Sequence, residues 1–184
     1  MSEVLRHIGR NVRIGRGVKI WHFTYIGDNT EIGDETKIGS LVHIDYNVKI
    51  GRRCKIEGMA YIPPLTVIED DVFIGPGVIF TNDPYPMSPK MVGVHVESGA
   101  IICAGAVLKA GIRVGSRAVV GMGAVVTKDV PPETVVFGNP RQGEVLPGGV
   151  PGEEEEVGGG LSPTSDNALR PYPQPQGSSS DPPH

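Results

Sequence analysis

The sequence predicts an all-β fold, a parallel β-helix of about six triangular coils, and three observations carry that expectation. The first is spacing: an aliphatic or aromatic residue recurs at every sixth position, as Ile8, Ile14, Ile20, Ile26, Ile32, Ile38, Ile44, Ile50, Ile56, Ile62, Ile68, Ile74 and then Phe80. Neither the 3.6-residue period of a helix nor the alternation of an ordinary strand produces it. The second is a partner row two positions earlier, small or β-branched, with Val12, Thr24, Thr36, Cys54, Ala60 and Val78 among its members; Gly often follows the aliphatic residue. The third is composition, since 26 Gly, 17 Pro and only 5% aromatic residues suit short strands joined by tight corners.

The repeat starts within a few residues of Met1, and no apolar signal segment precedes it. After a break it returns at Val96, Ile102, Leu108, Val114, Val120 and Val126. Three hexads close one coil, so residues 18 apart lie above one another, and a coil spacing of about 4.8 Å gives a column about 30 Å tall. Both ends of such a column need a cap.

Sorting the outward residues by this rule separates three faces. The face of Ile14 and Ile32 turns out Asn11, Arg13, Asn29 and Glu31, and the face of Ile20 and Ile38 turns out Gly17, Lys19, Glu35 and Lys37. Both are expected to meet water. The face of Ile8, Ile26, Ile44 and Ile62 presents Leu5, Phe23, Leu41 and Met59 in one column and His7, Tyr25, His43 and Tyr61 in the next. A strip of that size is unusual on a monomer and is most simply covered by copies of itself around a closed ring, which predicts a homotrimer.

Residues 81–95 interrupt the period at the edge of that strip. Val96 resumes sixteen residues after Phe80, either one hexad plus ten on the next face or two hexads plus four; spacing leaves both open. A loop held by a rigid scaffold is where a site is expected. Cys54 and Cys103 replace repeat residues and are expected to pack; Glu69, Asp70 and Asp71 are expected to make turn hydrogen bonds. His7 and His95 are expected at the surface or in the loop. Residues 1–142 form the predicted repeat domain, and 143–184, rich in Gly, Pro, Glu and Ser, form a tail predicted to be disordered. A net charge of −4 offers no basic field for nucleic acid, and no apolar run approaches the roughly 20 residues of a membrane span. A cytoplasmic protein is expected.

Particular motifs narrow the chemistry. Ile20-Trp21-His22-Phe23, the run from Ile68 to Pro76, and Phe80-Thr81-Asn82-Asp83 with Tyr85-Pro86 resemble the sugar N-acetyltransferases that act on the 3-amino group of nucleotide-linked aminosugars. Gly121–Pro131 and Val136–Pro140 resemble the closing coil of the wider group, the left-handed parallel β-helix (hexapeptide-repeat) acyltransferases that use acetyl-CoA. The resemblance covers about residues 8–141, and the left hand of the coil comes from it. It implies acetyl-CoA as co-substrate, with Gly105, Ala106, Gly123 and Ala124 as a low wall for the pantetheine arm and Lys128 and Arg141 facing its phosphates. It implies Asn82 as the residue that holds the amine, His22 as a candidate base or sugar contact, and Asp83, Tyr85 and His43 against a small sugar substrate. His43, between Tyr25 and Tyr61 in its column, also reads as ordinary packing.

Asn82 and Asp83 stand where O-acetylating relatives often carry a loop histidine; a hydroxyl acceptor needs a base, whereas an amine brings its own lone pair, so positioning suffices. Three features depart from the pattern: Met87 stands where Arg often follows Tyr-Pro, no nucleotide-binding domain precedes the repeat, and no amphipathic helix follows Pro140. The rival readings are an O-acetyltransferase with His22 or His43 as base, a γ-class carbonic-anhydrase-like trimer with a histidine-bound zinc, and a noncatalytic scaffold. The histidines lack the close-spaced pair the zinc reading needs, and no metal is expected.

Overall fold

A computed structural model describes residues 5–139 and 142–145, and of the last four only the backbone. Among the described residues twenty-one short strands, from Arg6–Ile8 to Gln142–Val145, stack into three sheets of seven, six and eight strands, parallel except for the last strand. They wind one column. The first face carries Ile8, paired with Ile26; the second carries Ile14, paired with Ile32; the third carries Ile20, paired with Ile38. The column has about seven coils instead of the expected six. After the last hexad a bridge from Val114 to Val130 on the second face and the strand Thr134–Phe137 on the third complete one more turn without the hexad signature. Gln142–Val145 then pairs antiparallel with Thr134–Phe137, which carries regular structure past the predicted boundary at residue 142. The rest of the predicted tail lies outside the described residues.

The repeat explains itself in side-chain terms. The aliphatic residues and the small residues two before them fill a continuous core, in which Ile26, Ile44, Ile62, Phe80, Leu108 and Val126 are fully buried. Glycine follows the aliphatic residue because the next coil's backbone lies against it: a Cβ on Gly33 would stand 2.6 Å from the Gly51 carbonyl carbon and 2.7 Å from the Arg52 nitrogen. Corner residues take the left-handed conformation, with φ of 55° at Asn11, 58° at Asn29 and 56° at Asn47, a region that asparagine tolerates. Inward threonines return their hydroxyls to corner carbonyls of the coil above: Thr30 donates to Asp45 O at 2.9 Å and Thr36 to Gly51 O at 2.9 Å. Thr66 stands in the same role, but its acceptor would be the carbonyl of Thr81, where the chain leaves the column. Its buried hydroxyl has no partner among the described residues.

The excursion resolves the open register. Ile79–Phe80 belongs to the first face and His95–Val96 pairs with Val67–Ile68 on the second, so the chain resumes on the next face after one hexad and ten inserted residues.

Carboxylates clamp successive coils along the corners. Asp28, Asp34 and Asp70 each accept the backbone N–H of the arginine 18 residues earlier at 2.8 Å, and the same arginine's guanidinium reaches the second carboxylate oxygen. The acidic corner therefore makes the expected turn bonds at Asp70; Asp71 pairs with Arg53, and Glu69 accepts the N–H of Ser98 at 3.0 Å. The backbone bond first and the guanidinium second hold Asp28, Asp34 and Asp70 below their ordinary value of 3.8. Because the folded chain favours the ionised form, this stabilisation is complete above the unfolded value and is lost as pH falls through the lower folded ones. Thermal unfolding followed by circular dichroism should show this contribution unchanged between about pH 7 and pH 5 and disappearing below about pH 4, with a shallower acid slope in Asp70→Asn. A midpoint already falling near pH 6 would assign the dependence to histidine instead.

Candidate functional site

The corner between the third and first faces changes character halfway up. In the lower coils it is built from Phe23, Leu41 and Met59, held in the left-handed conformation at φ of 58°, 62° and 63° with large side chains exposed. In the upper coils the same column is Gly77, Gly105 and Gly123, with φ of 66°, 68° and 65°, and a Cβ on any of the three would meet nothing within 4 Å. An open lane results. On its first-face side the outward residues are Ile79, Val107 and Val125. On its third-face side they are Phe73, Ile101, Val119 and Val135. Above the coils of Lys19, Lys37 and Lys55, which meet water as expected, the outward column of the third face turns apolar at Phe73, and the lane is walled by apolar side chains on both sides.

The inserted loop leaves from the opposite edge of the first face, in the coil whose third-to-first corner is Gly77. Asn82 is half-buried; its carbonyl accepts the N–H of Val92 at 2.7 Å, which closes the loop's neck. Its side-chain N–H donates to Met91 Sδ at 3.1 Å, and Oδ1 is left without a protein partner among the described residues. Asp83 accepts the N–H groups of Tyr85 at 3.0 Å and Ser88 at 3.1 Å, so its carboxylate shapes the turn of the loop. Tyr85 is exposed, with Lys109 Nζ 5.7 Å from its ring centre. At the loop's far foot, His95 Nε2 lies 2.8 Å from Glu69 Oε1, and the Ser98 hydroxyl donates to Glu69 Oε2 at 2.8 Å. Ser98 first and His95 second lower the Glu69 carboxyl. This clamp anchors the return to the column, a role that the sequence reading of His95 as a surface or loop residue had missed.

The other expected site residues are dispersed. His22 sits at the third-to-first corner beside Phe23, ring centres 6.3 Å apart, ahead of the second strand of the first face. Asn82 follows the fifth strand of that face, so within one chain the two are separated by three coils, about 14 Å in height, and by the width of a face. His43 is stacked on Tyr25 at 4.5 Å and tilted on Tyr61 at 5.4 Å, which favours packing over contact with a sugar. Gly105 and Gly123 line the lane, but Ala106 and Ala124 do not: they occupy the inward row two before an aliphatic residue, and both side chains are fully buried in the core. Lys128 is exposed at the first-to-second corner, across the first face from the lane, and Arg141 lies outside the described residues. Cys54 is buried as expected and Cys103 half-buried; neither forms a disulfide. Among the described residues no group of three or more His, Cys, Asp or Glu is placed to hold a metal, and no helix is long and apolar enough to cross a membrane.

A parallel β-solenoid with one grooved corner and one inserted loop is the class that fold and site define. Comparison with known proteins places it further. Residues 7–34 and 29–64 match the model described as bacterial transferase hexapeptide (six repeats), and residues 65–110 and 110–128 match the hexapeptide repeat of succinyl-transferase. Together these span residues 7–128, well over half of the chain, and the chain belongs to the hexapeptide-repeat family of transferases. That repeat implies a left-handed coil. Among curated relatives, a galactoside O-acetyltransferase of Lactococcus lactis is 34% identical over 74 residues, which is 36% of each chain. A 2,3,4,5-tetrahydropyridine-2,6-dicarboxylate N-acetyltransferase of Staphylococcus aureus is 41% identical over 69 residues, 38% of this chain and 28% of the relative. The chain thus spans about a third of the length of these relatives. Among solved structures, WeeI from Acinetobacter baumannii superposes with a TM-score of 0.60 at 33% identity, covering 68% of this chain and 57% of that one.

Proposed function

We propose that this chain is an acetyl-CoA-dependent acetyltransferase that transfers the acetyl group to the amine of a nucleotide-linked aminosugar, and that it works as a homotrimer. The observation that carries the reading is the change of the third-to-first corner from Phe23, Leu41 and Met59 to Gly77, Gly105 and Gly123 at the height where the Asn82 loop departs. An apolar lane with a glycine floor suits a thin, flexible pantetheine arm, and the named acetyltransferases among its relatives agree with that use. A closed three-fold ring pairs unlike edges of the same face, so the loop edge of one copy meets the lane edge of the next. The exposed Tyr25, Leu41, Met59 and Ile79 supply the apolar surface for that contact.

In this arrangement the free Oδ1 of Asn82 accepts an N–H of the neutral amine and aims its lone pair at the thioester carbonyl carbon. Attack forms the C–N bond and an oxyanion; collapse breaks the C–S bond, and the departing thiolate takes the proton from nitrogen. No base is required of the protein. A hydroxyl acceptor would need one, and His22 lies three coils below the loop. Acetyl-CoA supply and two cysteines without a disulfide suit a cytoplasmic setting.

The test is thiol release from acetyl-CoA against a panel of nucleotide-linked 3-amino, 4-amino and hydroxy sugars. Turnover confined to amino sugars is expected. Turnover of a hydroxy sugar alone would transfer the assignment to O-acetylation, and no release with any acceptor would leave the column a scaffold.

A further inference from the structure

Below the glycine lane, on the same corner, Trp21, Lys37, Ser40, Lys55 and Glu57 border a concavity of about 320 Å³. Lys19, Lys37 and Lys55 stand in register on adjacent strands of the third face, one directly above another. Like charges so stacked oppose folding of the sheet, and elsewhere on the column arginines meet an acid of a neighbouring coil, as Arg10 meets Asp28 and Arg52 meets Asp70. Here only Lys55 is neutralised, by Glu57 at 2.6 Å; Lys19 and Lys37 have no ion-pair partner among the described residues. Beside them Trp21 exposes 43% of its surface, an aromatic plate bordering a cationic hollow.

We infer that this hollow binds a nucleotide, with the base against the indole of Trp21 and the phosphates on Lys37, the lysine of its rim that has no ion-pair partner among the described residues. Two nucleotides come with the proposed reaction, that of the acceptor and that of coenzyme A. The hollow lies at the level of the second to fourth coils, beneath the coil of Gly77 and Asn82, whereas the apolar lane runs upward from it. Coenzyme extended along the lane leads away from the hollow, so the acceptor's nucleoside diphosphate occupies it, and acceptor and cofactor meet end to end at the coil between. This inference rests on the acetyltransferase reading, which it deepens, and its test is independent of turnover.

Trp21 is the only tryptophan in the chain, so its emission reports on this site alone. Uridine, thymidine and guanosine diphosphates, inorganic diphosphate and coenzyme A are titrated into the full-length protein. At least one nucleoside diphosphate should change the emission saturably, with weaker binding at higher salt, and Lys37→Ala should weaken that binding about tenfold with a melting temperature no lower than that of the native chain. The inference is overturned if no nucleoside diphosphate alters the emission, if Lys37→Ala binds as the native chain does, or if coenzyme A alone gives the Lys37-dependent change. Binding without any acetyl transfer would keep the nucleotide site and remove the enzyme reading; transfer with a KM indifferent to Lys37→Ala would do the reverse.

Discussion

Asn82→Ala is expected to lower acetyl transfer to an amine by about two orders of magnitude, because alignment of the nucleophile is all that the loop is asked to contribute. The melting temperature should hold. Only a side-chain bond to Met91 is lost, while the neck of the loop is closed by the Asn82 carbonyl and the Val92 N–H, which the substitution keeps. Asn82→Asp gives a sharper readout. It retains an oxygen in the same place but adds a negative charge that favours the protonated amine, so the rate should recover in part and its pH profile should move to higher pH. Steady-state kinetics across pH separates this from a merely structural role, which would not shift the profile. An unaltered kcat in Asn82→Ala would remove the residue from the mechanism.

Gly105→Leu should abolish productive use of acetyl-CoA, with affinity falling by about a hundredfold, equivalent to about 3 kcal/mol. Such a change at a glycine with φ of 68° would ordinarily be read as backbone strain. The same corner argues otherwise, since Phe23, Leu41 and Met59 hold that conformation with large side chains at 58°, 62° and 63°. The space above Gly105 is open, so the added side chain enters the lane and not the core. Isothermal titration with coenzyme A, beside thermal unfolding, distinguishes a blocked lane from a damaged column. Undiminished affinity in a folded Gly105→Leu protein would show that the cofactor runs elsewhere.

The column was legible in the sequence because a six-residue period has few physical origins, and because the inward rows need only size and branching, which residue type reveals. The same period assigns Ala106 and Ala124 to the buried row, two before Leu108 and Val126. Family likeness implies cofactor contacts there, whereas the spacing places both side chains in the core. The lane is legible too, in the outward column of Lys19, Lys37 and Lys55 that continues upward to Phe73 and, across the insertion, to Ile101. What spacing did not hold was the register after Phe80, because ten aperiodic residues carry no phase. The separation of His22 from Asn82 was hidden for a different reason: each looks plausible in isolation, and only the stacking order shows that a single chain keeps them apart.

The feet of the inserted loop rest on neighbouring faces of one continuous coil, so the ladder above and below is indifferent to how much chain hangs between them. Among the described residues the hydroxyl of Thr66 is left without a partner at the place where the chain departs. Under the proposed function, exchanging residues 81–94 for a segment of other length or chemistry should change which acceptor is used while the column keeps its fold.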